Sequence, residues 1–148
     1  MSTITGQDAG ASSARVKRFA VFTTIGVVLA LSVAELVNLL GRHTIGPEWY
    51  ALLIAGLSVT AGILSLALVL SPRPNRIALA IVMVLWALVA LGGIVGTYYH
   101  AVGVAPEYGP VDPRPRPALA PLIFTVFGAL GGAAVLIGQR LASARGER

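Results

Sequence analysis

The chain has 148 residues, 56% of them hydrophobic and 11% charged, with a formal net charge of +5 and no cysteine. Soluble domains carry about a quarter of charged residues, so this composition points to a membrane rather than to an aqueous globule. Without cysteine, the chain contains no disulfide, thiolate metal site, iron–sulfur cluster or thiol nucleophile.

Residues 1–14 are rich in Ser, Thr, Gly and Ala and lack an apolar period, and Arg15, Lys17 and Arg18 follow. Such a stretch predicts a disordered basic tail over 1–18. Four apolar runs then occupy 19–40, 49–70, 77–98 and 119–138. Each reaches the roughly 20 residues that a helix needs to cross about 30 Å of hydrocarbon. The fold expected is an all-α integral membrane protein, a four-transmembrane-helix antiparallel bundle over 19–140, followed by a short basic tail over 141–148. The first run exceeds the about 7–15 apolar residues of a signal peptide and has no clear small-x-small cleavage site before Gly41, so it is read as a retained helix.

Glu35 is the sole acidic residue inside an apolar run. An ionisable group there is costly unless paired, hydrated or neutral, which makes it a functional candidate. Ser32, Glu35, Asn38 and Arg42 follow at spacings that place them on one stripe of the first helix, facing other helices or water. One reading has the carboxyl satisfied by Asn38, Arg42 or a neighbouring helix; the others are proton or cation coupling and contact with a partner. A lone acid in the first of four helices resembles the layout of the small multidrug-resistance exporters. In that family the acid lies near mid-membrane and the loops are short, whereas Glu35 is displaced toward one end and the third connection is long. The exporter activity is therefore not carried over.

His43 follows the first run and His100 the third, with Glu48, Glu107 and Asp112 in the adjacent connections. Imidazoles with carboxylates are chemistry suited to zinc, copper or iron, and two opposed histidines to a b-type haem. The plainer reading places both at the membrane interface, and proton handling is a third. No cofactor or metal is predicted as the leading reading. Trp49 and Tyr50 open the second run, and Tyr98 and Tyr99 close the third, the positions of an aromatic anchoring belt.

Pro72 and Pro74 in the stretch 71–76 predict a tight hairpin between the second and third helices. Small residues recur at a spacing of four: Gly26, Ala30 and Ala34; Gly56 and Thr60, with Ser58 and Gly62; Gly92 and Gly96; Gly128 and Gly132. In lipid such surfaces let helices approach closely, here expected within the bundle, with self-association or partner docking as the alternative. The connection 99–118 holds Pro106, Pro110, Pro113, Pro115 and Pro117 beside Arg114 and Arg116, a composition favouring extended polyproline geometry. It reads as a strap over helix ends or as a docking segment. Pro121 sits early in the fourth run, where a missing amide costs little.

Arg15, Lys17, Arg18, Arg73, Arg76, Arg140, Arg145 and Arg148 fall on one side of this topology, and Arg42, Arg114 and Arg116 on the other. The positive-inside bias then places both termini in the cytoplasm. The setting expected is the plasma (inner) membrane of a prokaryote. The basic residues flank apolar runs rather than form one surface, which argues for orientation and against nucleic acid. No nucleophile motif, phosphate loop or dinucleotide fingerprint is present, so catalysis by this chain is not expected. The leading functional expectation is a non-catalytic accessory or structural subunit whose partners are lipids and other membrane subunits or a second copy. The alternative is a small redox or transport protein in which Glu35, His43 and His100 converge on haem, a metal, a quinone or a proton.

Overall fold

The computed structural model is all-helical, with α1 at Thr5–Gly41, α2 at Trp49–Leu70, α3 at Arg76–Val102 and α4 at Leu119–Gly146. It describes residues 5–41, 49–71, 75–102 and 119–146, and at 5–12, 14, 49, 99–102, 119–120 and 144–146 the backbone alone. Among the described residues, four segments are long and apolar enough to cross a membrane: Arg15–Gly41, Tyr50–Leu70, Arg76–Tyr98 and Pro121–Ser143. The shortest has 21 residues. At about 1.5 Å per residue it rises about 32 Å, close to the hydrocarbon thickness.

The helices outrun the apolar segments. The tail expected to be disordered over 1–18 is helical from Thr5, α3 continues to Val102, and α4 continues through most of the expected basic tail to Gly146. Extending a nucleated helix adds one hydrogen bond for each residue ordered, and Ala9, Ala11, Ala14, Ala142 and Ala144 are strong helix formers with no proline among them. At the start of α3, Asn75 Oδ1 accepts from the amides of Ile77 at 3.0 Å and Ala78 at 3.2 Å. This N-cap satisfies donors that the first turn leaves without helical partners. Pro72 and Pro74 lie outside the described residues.

Consecutive helices run antiparallel. On α1 and α2, Leu29 faces Gly62 while Ser32 bonds Ser58, so numbers rise on one helix as they fall on the other. On α2 and α3, Tyr50 meets Gly92 while Ser65 meets Trp86. On α3 and α4, Gly96 faces Pro121 while Trp86 faces Gly131. Gly138 touches both Val21 of α1 and Val69 of α2, so the start of the first span and the end of the last share one end of the bundle. The core is a column of aliphatic and aromatic side chains, among them Val21, Ile25, Val28, Ile54, Leu68, Val82, Trp86, Val89, Phe124 and Val135. Large apolar side chains such as Val27, Leu53, Leu88 and Leu130 cover the outside, as they must where the solvent is hydrocarbon.

Candidate functional site: the helix interfaces and the flank of α1

Polar side chains inside an apolar bundle are the residues whose placement the sequence leaves most open, and the buried ones, Ser32, Ser58, Ser65 and Gln139, join helices. Ser32 Oγ donates to the carbonyl of Val28 at 2.8 Å and lies 2.7 Å from Ser58 Oγ, linking α1 to α2. Ser65 Oγ donates to Ala61 O at 2.6 Å and accepts from Trp86 Nε1 at 2.9 Å, linking α2 to α3. Tyr50 Oη donates to Gly92 O at 2.7 Å, and Gln139 Nε2 to Leu68 O at 3.3 Å, which ties α4 to α2. Ser32, Ser58 and Ser65 are fully buried and Trp86 nearly so. In hydrocarbon an unpaired polar atom has no water to fall back on, so each of the bonds between helices favours one rotation and register. Of this set, Ser32, Ser58, Gly92 and Tyr50 stand out in the sequence, Ser58 and Gly92 as small packing residues and Tyr50 as an interface anchor. The signal for the rest is weaker: Ser65 and Trp86 interrupt apolar runs, and Gln139 directly follows one.

Glycine sets the closest approach, that of α3 to α4. A Cβ on Gly93 would fall on the backbone and side chain of Thr125 and within 2.6 Å of Pro121 O. The Gly93 Cα hydrogen therefore points at Thr125 Oγ1, which is, among the described residues, the one buried side-chain oxygen without a hydrogen-bond partner. A weak Cα–H···O contact recurs where helices come this close. Gly128 abuts Ala90 and the carbonyl of Trp86, at 2.6 and 2.7 Å from an added Cβ, and Gly131 receives the face of the Trp86 indole. Gly96 lies against Pro121. Gly92 opens instead onto Ile54 and Tyr50 of α2, and a Cβ on Gly132 would make only ordinary contacts with Met83 and Trp86.

The small residues of α1 behave in the opposite way, which corrects the expectation that they pack inside the bundle. Nothing lies within 4 Å of a Cβ built on Gly26 or Gly41. Ala30 and Ala34 are exposed, as is Thr23. At about 100° per residue these positions share the side of α1 opposite Val21, Ile25, Val28 and Ser32. On α2, Gly56 is likewise open, and exposed Thr60 donates back to its carbonyl at 2.8 Å.

The stripe Ser32, Glu35, Asn38, Arg42 divides along its length. Ser32 is buried, Glu35 half-buried at the flank, and Asn38 exposed, donating through Nδ2 to Glu35 Oε2 at 3.4 Å. Arg42, His43, Arg114 and Arg116 lie outside the described residues, and His100 lies on α3 with its side chain undescribed. Among the described residues no group of three or more His, Cys, Asp or Glu side chains is arranged to hold a metal. No protein-family model matches the chain, and neither a curated protein nor a solved structure is detectably similar to it.

Proposed function

We propose that this chain is a small non-catalytic multi-pass membrane protein, an accessory or structural subunit that packs against a larger membrane complex through the outer face of α1. One observation supports this reading above the rest: Gly26, Ala30 and Ala34 leave the α1 backbone uncovered on the side away from the core. Lipid tails fill such a shallow surface poorly compared with a second helix, whose ridge gains van der Waals contact along the whole column. Asn38, which donates to Glu35, borders that face and offers a polar group to a partner helix. The distribution of Lys and Arg supports an orientation with both helix-bundle termini on the cytoplasmic side. The proline-rich connection with Arg114 and Arg116 would then face the exterior as a second contact, with acidic lipids or an acidic partner.

The test is extraction in mild detergent followed by size analysis of wild type and an Ala30→Leu/Ala34→Leu variant. We expect wild type to leave the membrane in a complex of fixed stoichiometry and the variant to leave it as a folded monomer. A wild-type chain that extracts alone defeats the proposal. Absorption between about 400 and 600 nm, where haem absorbs, would instead favour the redox reading through His43 and His100.

A further inference from the structure

At the end of the bundle shared by Val21 and Gly138, α3 and α4 part to leave a cleft of about 420 Å³ lined by Arg76, Leu79, Leu136, Gln139, Arg140 and Ser143. We propose that this cleft is a specific site for one anionic phospholipid, with its phosphate between Arg76 and Arg140 and an acyl chain along Leu79 and Leu136. The inference rests on the membrane setting of the helices alone; neither their orientation nor the outer face of α1 enters it.

Three features of the cleft carry the assignment. Two guanidiniums, one from each helix, line it, and both arginines are exposed. Guanidinium forks bind phosphate oxygens bidentately, and basic pockets between transmembrane helices select anionic headgroups. Among the described side chains the sole carboxylate is Glu35, which stands toward the other end of α1, so neither charge is neutralised from within the described protein.

The second feature is the order of residues along the membrane normal. Leu79 lies three residues from Arg76, and Leu136 four from Arg140, in each case toward the middle of the span. At about 1.5 Å per residue the leucines sit roughly 4.5–6 Å deeper than the charges, on the same helix faces. A glycerophospholipid presents the same sequence of chemistry, anion outside and hydrocarbon inside. A soluble anion matches only the outer half.

The third feature is that the polar floor is already committed. Gln139 Nε2 donates to Leu68 O at 3.3 Å, and Ser143 Oγ donates to Gln139 O at 3.1 Å, while Asn75 caps the first turn of α3 beside Arg76. These bonds hold the walls in place and leave the two arginines as the groups with charge to offer. Lipid seated there bridges the α3 and α4 ends on the outside of the seam that Gly128 and Gly131 close within.

The full chain, purified in mild detergent, is titrated with phosphatidylglycerol or with phosphatidylcholine of the same acyl chains, and retained lipid is counted by native mass spectrometry. We expect one phosphatidylglycerol to be retained in preference to phosphatidylcholine. Arg76→Gln/Arg140→Gln should weaken that preference about 30-fold, the equivalent of about 1 kcal/mol per basic residue. Arg15→Gln/Lys17→Gln, which removes like charges from the same end of α1, should leave it within about two-fold. Equal retention of both lipids, an undiminished preference in the double variant, or an equal loss in the α1 control overturns the site. Displacement of the lipid by millimolar inorganic phosphate also overturns it, in favour of a free-anion site. Independently of any variant, phosphatidylglycerol should raise the thermal midpoint of the wild type where phosphatidylcholine and inorganic phosphate do not; no rise counts against the proposal.

Discussion

The α3–α4 seam and the outer face of α1 carry the same kind of residue at the same spacing and meet opposite surroundings. Gly93, Gly96, Gly128 and Gly131 lie against a facing helix so closely that an added methyl group would overlap or crowd it. Gly26, with Ala30 and Ala34 below it, faces nothing. A column of small residues thus marks where a backbone can be approached. It does not say which helix approaches. In the seam the bundle itself supplies the neighbour, whereas on α1 the column points away from Val28 and Ser32.

The sharpest way to break this contrast is substitution in the two columns. Gly93→Val places a branched side chain onto the Thr125 backbone, which cannot rotate aside, so the seam must open. Overpacking costs typically 1–3 kcal/mol and more where backbone is struck. We expect a loss of about 3 kcal/mol in detergent unfolding equilibria, against less than about 0.5 kcal/mol for Gly26→Val beyond its propensity change. Equal losses at the two positions would remove the distinction.

Gly131→Ala probes the same seam through a side chain rather than a backbone. Its methyl group would strike the Trp86 ring, which is 1% exposed and held by Ser65, so the indole has little room to yield. The expected cost is about 1–3 kcal/mol, with a shift in tryptophan emission as the ring moves. Gly132→Ala, four residues from Gly128 on the helix, meets only ordinary contacts and should be close to neutral or slightly stabilising.

Smaller effects distinguish the polar ties. A double-mutant cycle on Trp86→Phe and Ser65→Ala should give a coupling of about 0.6 kcal/mol, with an upper range near 1.7, the values seen for interhelical hydrogen bonds in a membrane protein. The Ser32→Ala/Ser58→Ala cycle should match it, because both pairs are dry. Glu35→Gln is expected to change stability least, within about 0.5 kcal/mol, since its 3.4 Å contact with Asn38 is a local pair on an exposed flank.

Run length and hydropathy made the four spans legible, and the described helices contain all four. Their ends were harder to read: hydropathy marks where lipid stops, whereas α1, α3 and α4 continue beyond it, because a nucleated helix does not need an apolar residue to add its next hydrogen bond. For the candidate site, the type of each polar or small residue was visible, but its partner was not. Ser32, Glu35 and Asn38 look like one stripe and end buried, half-buried and exposed, because a stripe read at spacings of three drifts around the helix.

Covalent pattern thus specifies membrane crossing, because a backbone surrounded by hydrocarbon must close its own hydrogen bonds and a long apolar run achieves that locally. The pairing of Trp86 with Ser65, the meeting of Gly93 with Thr125 and the outward turn of Ala30 and Ala34 are set by helix rotation within the bundle. Rotation is a collective property of four rods packed at once: about 100° per residue converts a one-residue choice of phase into a different neighbour. No single helix contains the information to make that choice.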